Sequence, residues 1–125
     1  MLADARVEAA IPTSKLSRGQ EFYGGLLGLP SAGAHTPGVD VIYECGGGTR
    51  LLVYEHPGTA FPAHTAAHFL VDDVPATVQE LRGRGVRFDE YDLPELKTVD
   101  GVATVGGLRF AWIKDPDNNV IAIHD

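Results

Sequence analysis

Residues 11–23, IPTSKLSRGQEFY, and residues 69–81, FLVDDVPATVQEL, follow one pattern. An apolar strand end leads through small or acidic residues into a segment with a helical apolar stripe. A second echo joins RLLVYEH at 50–56 to NVIAIHD at 119–125. The order strand, helix, three strands therefore occurs twice in 125 residues. A half of roughly 60 residues is too small to bury both faces of its own sheet, so the repeat predicts two halves packed together. Paired sheets of this kind enclose a bowl lined by inward strand positions, and a bowl is where a small-molecule site is expected.

In the first half, Val7 to Thr13 reads as a strand, with Pro12 suited to an edge or outer end. Ser17 with Gln20 has the capping-box pattern, Phe22, Tyr23, Leu26 and Leu27 form one apolar face, and Gly28 ends the helix. Strands are expected over Leu29 to Ala34, Val39 to Cys45 and Thr49 to Tyr54, with Gly46-Gly47-Gly48 as a hairpin. In the second half, Ala66 to Val71 is strand-like, and Asp72 or Asp73 caps a helix with Val74, Val78 and Leu81 on its buried side and Gly85 at its close. Alternation predicts a strand over Val86 to Tyr91, a long connection from Asp92 to Gly107, and strands over Leu108 to Lys114 and Val120 to His124. Module one thus runs from about 5 to 56, a linker from about 57 to 65, and module two from about 66 to 125.

Composition narrows the function classes. Seventeen acids against ten bases give a formal charge of −7, which argues against nucleic acid and anionic membranes as partners. No stretch is long and apolar enough for a membrane span, and MLADARVEAA has neither the basic start nor the apolar run of a secretion signal. The single cysteine, Cys45, excludes an internal disulfide framework and reads as a small buried residue. A cytoplasmic protein is the expectation. Asp72-Asp73 and Asp115-x-Asp117 sit where turns and helix starts use carboxylates as caps, and no serine has a nucleophile-elbow context.

KLSRGQEFYGGLLGLP, HFLVDDVPATVQELRGRGVRF and AWIKDPDNNVIAI together resemble the vicinal oxygen chelate superfamily, which includes glyoxalase I, bleomycin-resistance proteins, fosfomycin-resistance enzymes and extradiol dioxygenases. EYDLPELKTVDGV and GGGTRLLVYE further resemble small actinobacterial members. The resemblance covers essentially the whole chain. It implies an α+β fold of two tandem βαβββ modules forming a cupped sheet around a central cavity, commonly as a homodimer. It also implies four metal-ligand positions, which fall here on Glu8, Val53, Ala66 and Ala122. Only Glu8 carries a donor, whereas a divalent metal of this type needs three or four. No cofactor is therefore expected.

Residues two apart on a strand share a face, so His68 sits with Ala66, His124 with Ala122 and Glu55 with Val53. A displaced divalent-metal site built from His68, His124, Glu55 and Glu8 is the alternative arrangement. Val41 or Tyr43, Phe110 or Trp112, and Tyr54 or Tyr91 are further lining candidates, chosen between by register. Aromatic residues with a polar tip suit a flat or conjugated ligand. The expected function is a glyoxalase- or bleomycin-resistance-like protein that binds or sequesters a small organic ligand between the modules. The alternative is a glyoxalase-type lyase or isomerase that uses a displaced metal, or His68 as acid and base.

Overall fold

The computed structural model describes residues 1–56 and 64–125. The expected linker therefore lies outside the described residues except for His64 and Thr65. The chain divides into two compact units, Met1–Thr59 and Ala60–Asp125. Each holds a four-stranded mixed sheet and a helical segment, so the architecture is α+β with one βαβββ module per unit.

In the first unit, β1 (Ala9–Thr13) lies parallel to β4 (Arg50–Glu55), while β3 (Asp40–Glu44) and β2 (Ser31–Gly33) complete the sheet in the order β1-β4-β3-β2. Helix α1 (Leu16–Gln20) continues as a π-helical stretch, Glu21–Leu26, in which the Leu27 N–H bonds to the Phe22 carbonyl. The expected cap at Ser17 is corrected by the structure. The cap lies two residues earlier, at Lys15, which makes no side-chain cap bond, and the helix starts at Leu16. The helix packs closely on the sheet through Gly19, where an added methyl would lie 3.2 Å from Val53 Cγ1 and 3.3 Å from Thr13 Cγ2. Gly47 and Gly48, both at positive φ, allow the tight turn between β3 and β4.

The second unit repeats the plan with β5 (Thr65–Leu70), α2 (Val74–Gly83), β6 (Ala103–Val105), β7 (Leu108–Lys114) and β8 (Val120–His124), in sheet order β5-β8-β7-β6. Asp73 is the cap, its carboxylate accepting from the Ala76 N–H at 3.0 Å. Val86 N–H returns to the Leu81 carbonyl through Gly85 at φ +95°, a glycine-based helix ending. Val74 and Val78 pack on Ala111 and Ile123, with Val71, Leu81, Phe88 and Val102 around them.

One expected strand is replaced. Val86 to Tyr91 forms no strand and pairs with β7 by a single isolated bridge, between Phe88 and Ile113, while the edge strand is Ala103–Val105. The cause lies in the connection itself. Tyr91 N–H donates to Thr98 Oγ1 at 2.8 Å, and the Thr98 N–H returns to the Tyr91 carbonyl. Further bridges link Asp92 with Lys97 and Val99 with Val102. The segment spends its backbone groups on itself, leaving β7 to pair with β6.

The turn before β8 depends on Asp115, which is only 4% exposed. Its carboxylate accepts from the N–H groups of Asp117 and Asn119 and from the Asn119 side-chain amide. Asp115→Ala should destabilise the fold by roughly 2–3 kcal/mol, since it strands buried donors. Asp73→Ala, which removes an exposed cap, should cost about 1 kcal/mol. Urea denaturation of both variants checks the order.

Candidate functional site

The helix in each unit covers one face of its sheet, and strand alternation decides what stands on the other. In the second unit, Ala111 and Ile123 face α2. Their strand neighbours Phe110, Trp112, Ala122 and His124 therefore point the opposite way. Register places the pairs Phe110↔His124, Trp112↔Ala122 and His68↔Ala122 side by side, so His68 stands on that same face.

These side chains form a continuous row of rings. His68 and His124 have centroids 4.7 Å apart at 26°. His124 and Phe110 lie 5.0 Å apart at 28°. Phe110 and Trp112 follow at 5.8 Å and 10°. Tyr91 closes the row edge-on to Trp112, at 5.5 Å and 89°. Phe110, Trp112, Tyr91 and His124 are half-buried, and His68 is exposed.

Both ends of the row are polar. At one end His68 Nδ1 and His124 Nε2 share a hydrogen bond of 2.7 Å. Such a bond needs one N–H and one bare ring nitrogen. The main-chain oxygen of Asp125 lies 3.4 Å from His124 Nδ1, which favours the proton there and leaves Nε2 as acceptor. At the other end the Tyr91 hydroxyl donates to Asp89 Oδ2 at 3.4 Å, and Lys114 Nζ pairs with the same carboxylate oxygen at 3.2 Å. Burial, and then the negative Asp89, push the Tyr91 phenol above its ordinary pKa, so it remains a donor at neutral pH.

The row gathers His68, His124, Trp112, Phe110 and Tyr91. Phe110 and Trp112 both belong to it, because residues two apart share a face. Asp89 and Lys114 were not singled out in the sequence. Lys114 could have been, since it continues the spacing of Phe110 and Trp112.

The remaining candidates belong to the first unit. Tyr43 is 3% exposed, its ring 6.4 Å from Tyr23, and burial raises its pKa. Gly24, in the π-helical stretch, approaches so closely that an added methyl would lie 3.4 Å from the Tyr43 ring, which places Tyr43 on the helix side. Val53 is on that side as well, against Gly19, and not on the open face expected of a ligand position. Glu55, two residues along β4, alternates to Val53's side at the strand end. Tyr54 points the other way, its ring stacked 6.4 Å from His56. Glu8 lies just before β1 and is half-buried. Cys45 has its pKa raised by burial and by Glu44, and so is an ordinary protonated thiol.

The four positions marked by the resemblance do not fit an inherited metal. Ala66 and Ala122 offer methyl groups, Val53 is turned toward the helix, and a lone Glu8 is too few donors. Among the described residues no three His, Cys, Asp or Glu side chains come together as a metal-holding group.

No protein-family model matches the chain, nor does any curated protein. Solved structures do match along its whole length. A glyoxalase family protein from Enterococcus faecalis is 18% identical, with a TM-score of 0.74 and 100% of each chain covered. A glyoxalase/bleomycin resistance protein from a Streptomyces species is 26% identical, with a TM-score of 0.63 over 93% of this chain and 96% of that one. An antibiotic binding protein, also from Streptomyces, is 24% identical, with a TM-score of 0.65 over 96% and 95%.

The far edge of β8 is clamped to β7 through Asp125. Its carboxylate accepts from the Arg109 N–H at 3.0 Å and from Arg109 Nε at 2.7 Å. The Arg109 backbone bond, then its side chain and charge, lower the Asp125 pKa against a partial opposing effect of desolvation. A carboxyl with a depressed folded pKa stabilises the fold above its unfolded value, and that contribution is lost as pH falls through the folded value. Asp125→Asn should therefore be less stable than the parent at neutral pH, with the gap closing below about pH 4. Urea unfolding across that range measures it.

Proposed function

On the premise that this chain carries the vicinal oxygen chelate fold, shared with glyoxalases and bleomycin-resistance proteins, we propose that it binds a small organic ligand. The ligand lies against the ring row of the second unit, and none of the four positions marked by the resemblance supplies a metal. The observation that carries this reading is the row itself: aromatic in the middle, with a histidine pair at one end and the Asp89–Lys114–Tyr91 group at the other. A flat conjugated molecule with hydrogen-bonding groups at both ends complements that surface. The formal charge of −7 favours a neutral or cationic ligand over an anionic one. The fold shared with an antibiotic binding protein is consistent with sequestration rather than turnover. The same proposal takes the protein to be cytoplasmic, and a homodimer as the resemblance implies.

A second reading, a lyase or isomerase of glyoxalase type, draws on the His68–His124 pair. Its shared proton and exposed His68 ring provide a group that can give or take a proton at a bound carbon acid. The two readings differ in outcome: a sequestering protein returns its ligand intact, whereas an enzyme loses turnover on His68→Ala.

Trp112 is the only tryptophan in the chain, so its fluorescence reports directly on the row. A panel of planar aromatic compounds should contain members that quench it saturably with one ligand per chain. Phe110→Ala should weaken such binding about tenfold, the loss expected for one stacked ring. Tyr43→Phe, a change within the first unit's core, should leave affinity unchanged. Quenching that Phe110→Ala does not alter would place the ligand elsewhere.

A further inference from the structure

We infer that His68 and His124 form a two-histidine site for a divalent transition metal that prefers imidazole: zinc, nickel or copper(II). The site uses none of the four positions marked by the resemblance: His68 stands on β5 beside Ala122, and His124 two residues beyond Ala122 on β8. Three features converge. The ligand nitrogens, His68 Nδ1 and His124 Nε2, already face each other at 2.7 Å, held by paired parallel strands. Two nitrogens bound to one tetrahedral zinc stand about 3.3 Å apart, since each bond is about 2.0–2.1 Å long. Admitting the metal therefore takes an opening of little more than half an ångström and a turn of roughly 35° in each ring, so that both nitrogens aim at the ion rather than at each other. His124 also has the outer contact typical of a ligating imidazole, with its Nδ1 against the main-chain oxygen of Asp125. Finally, His68 is exposed and His124 half-buried, so water or a ligand's own donor atoms can complete the coordination.

The proton now between the two nitrogens must leave the contact when metal enters. It moves to the far nitrogen of the same ring or passes to solvent. Hard cations such as magnesium and calcium, which demand oxygen donors, are not expected to bind here. With two protein ligands and no third donor among the described residues, binding should be reversible and easily stripped by chelator.

The inference does not rest on the ligand proposed above, because the metal alone is the probe. Protein lacking a histidine tag is stripped with chelator and titrated with zinc sulfate in a calorimeter. Copper(II) electron paramagnetic resonance then counts coordinated nitrogens. About one metal per chain is expected, with two imidazole nitrogens on copper. His68→Ala and His124→Ala should each weaken zinc by at least about tenfold, and His35→Ala should not. His68 is exposed, so its alanine variant tests the site even if His124→Ala fails to fold. No uptake at about 100 μM metal, a level weaker than any useful site, would overturn the inference. Uptake that survives His68→Ala would overturn it equally. Zinc binding without aromatic quenching would remove the ligand reading and leave the metal site standing; quenching without zinc binding would do the reverse.

Discussion

Everything in each unit follows from the parallel pairing of its first and last strands, β1 with β4 and β5 with β8. Parallel neighbours cannot be joined by a tight turn, so the chain must cross the sheet, and it does so as a helix. In the second unit β5 and β6 occupy opposite edges of the sheet. The helix between them therefore lies over one face. That face takes Ala111, Ile123, Val74 and Val78, and becomes the core. The opposite face receives no helix from its own unit, and side chains that need water or a ligand can stand there.

The ring row is a consequence of this division. Register sets His68, Ala122 and Trp112 across three neighbouring strands, and His124 opposite Phe110. None of these residues is close in sequence to all the others. Each ring plane from His68 to Trp112 lies within 30° of the next, which makes one elongated surface out of isolated rings. The two polar ends give that surface a direction. Ala122 sits in the middle of it, 4% exposed, a methyl among rings where a carboxylate would have drawn the chemistry toward a metal.

The same polar pair carries both the second functional reading and the metal inference, for one reason. Two imidazoles at 2.7 Å can share a proton, and whatever holds them that close can also present both nitrogens to a larger cation. His124 stands one pleat beyond Ala122 and His68 directly beside it on β5, so the pair borders the positions that the superfamily resemblance marks without occupying them.

Much was legible in the sequence because it depends on local periodicity. The duplicated order, the Asp73 cap, the Gly85 helix ending and the Asp115 turn each rest on residues within a few positions of one another. So did the sharing of one face by His124 and Ala122, which needs only alternation along one strand. What the sequence could not fix was anything set by competition between distant backbone groups. Val86 to Tyr91 alternates like a strand, yet Thr98 takes Tyr91's hydrogen bonds and Ala103–Val105 takes the sheet edge. Val53 looked inward by a one-residue offset in the repeat. The side a strand residue faces reverses with every such step, and only the packing of Gly19 against it decides which is right. The sequence alone determined which elements exist and what chemistry their side chains carry. The tertiary structure decided which side chains meet, because meeting depends on strand register and helix placement, which are settled by packing across the sheet rather than along the chain.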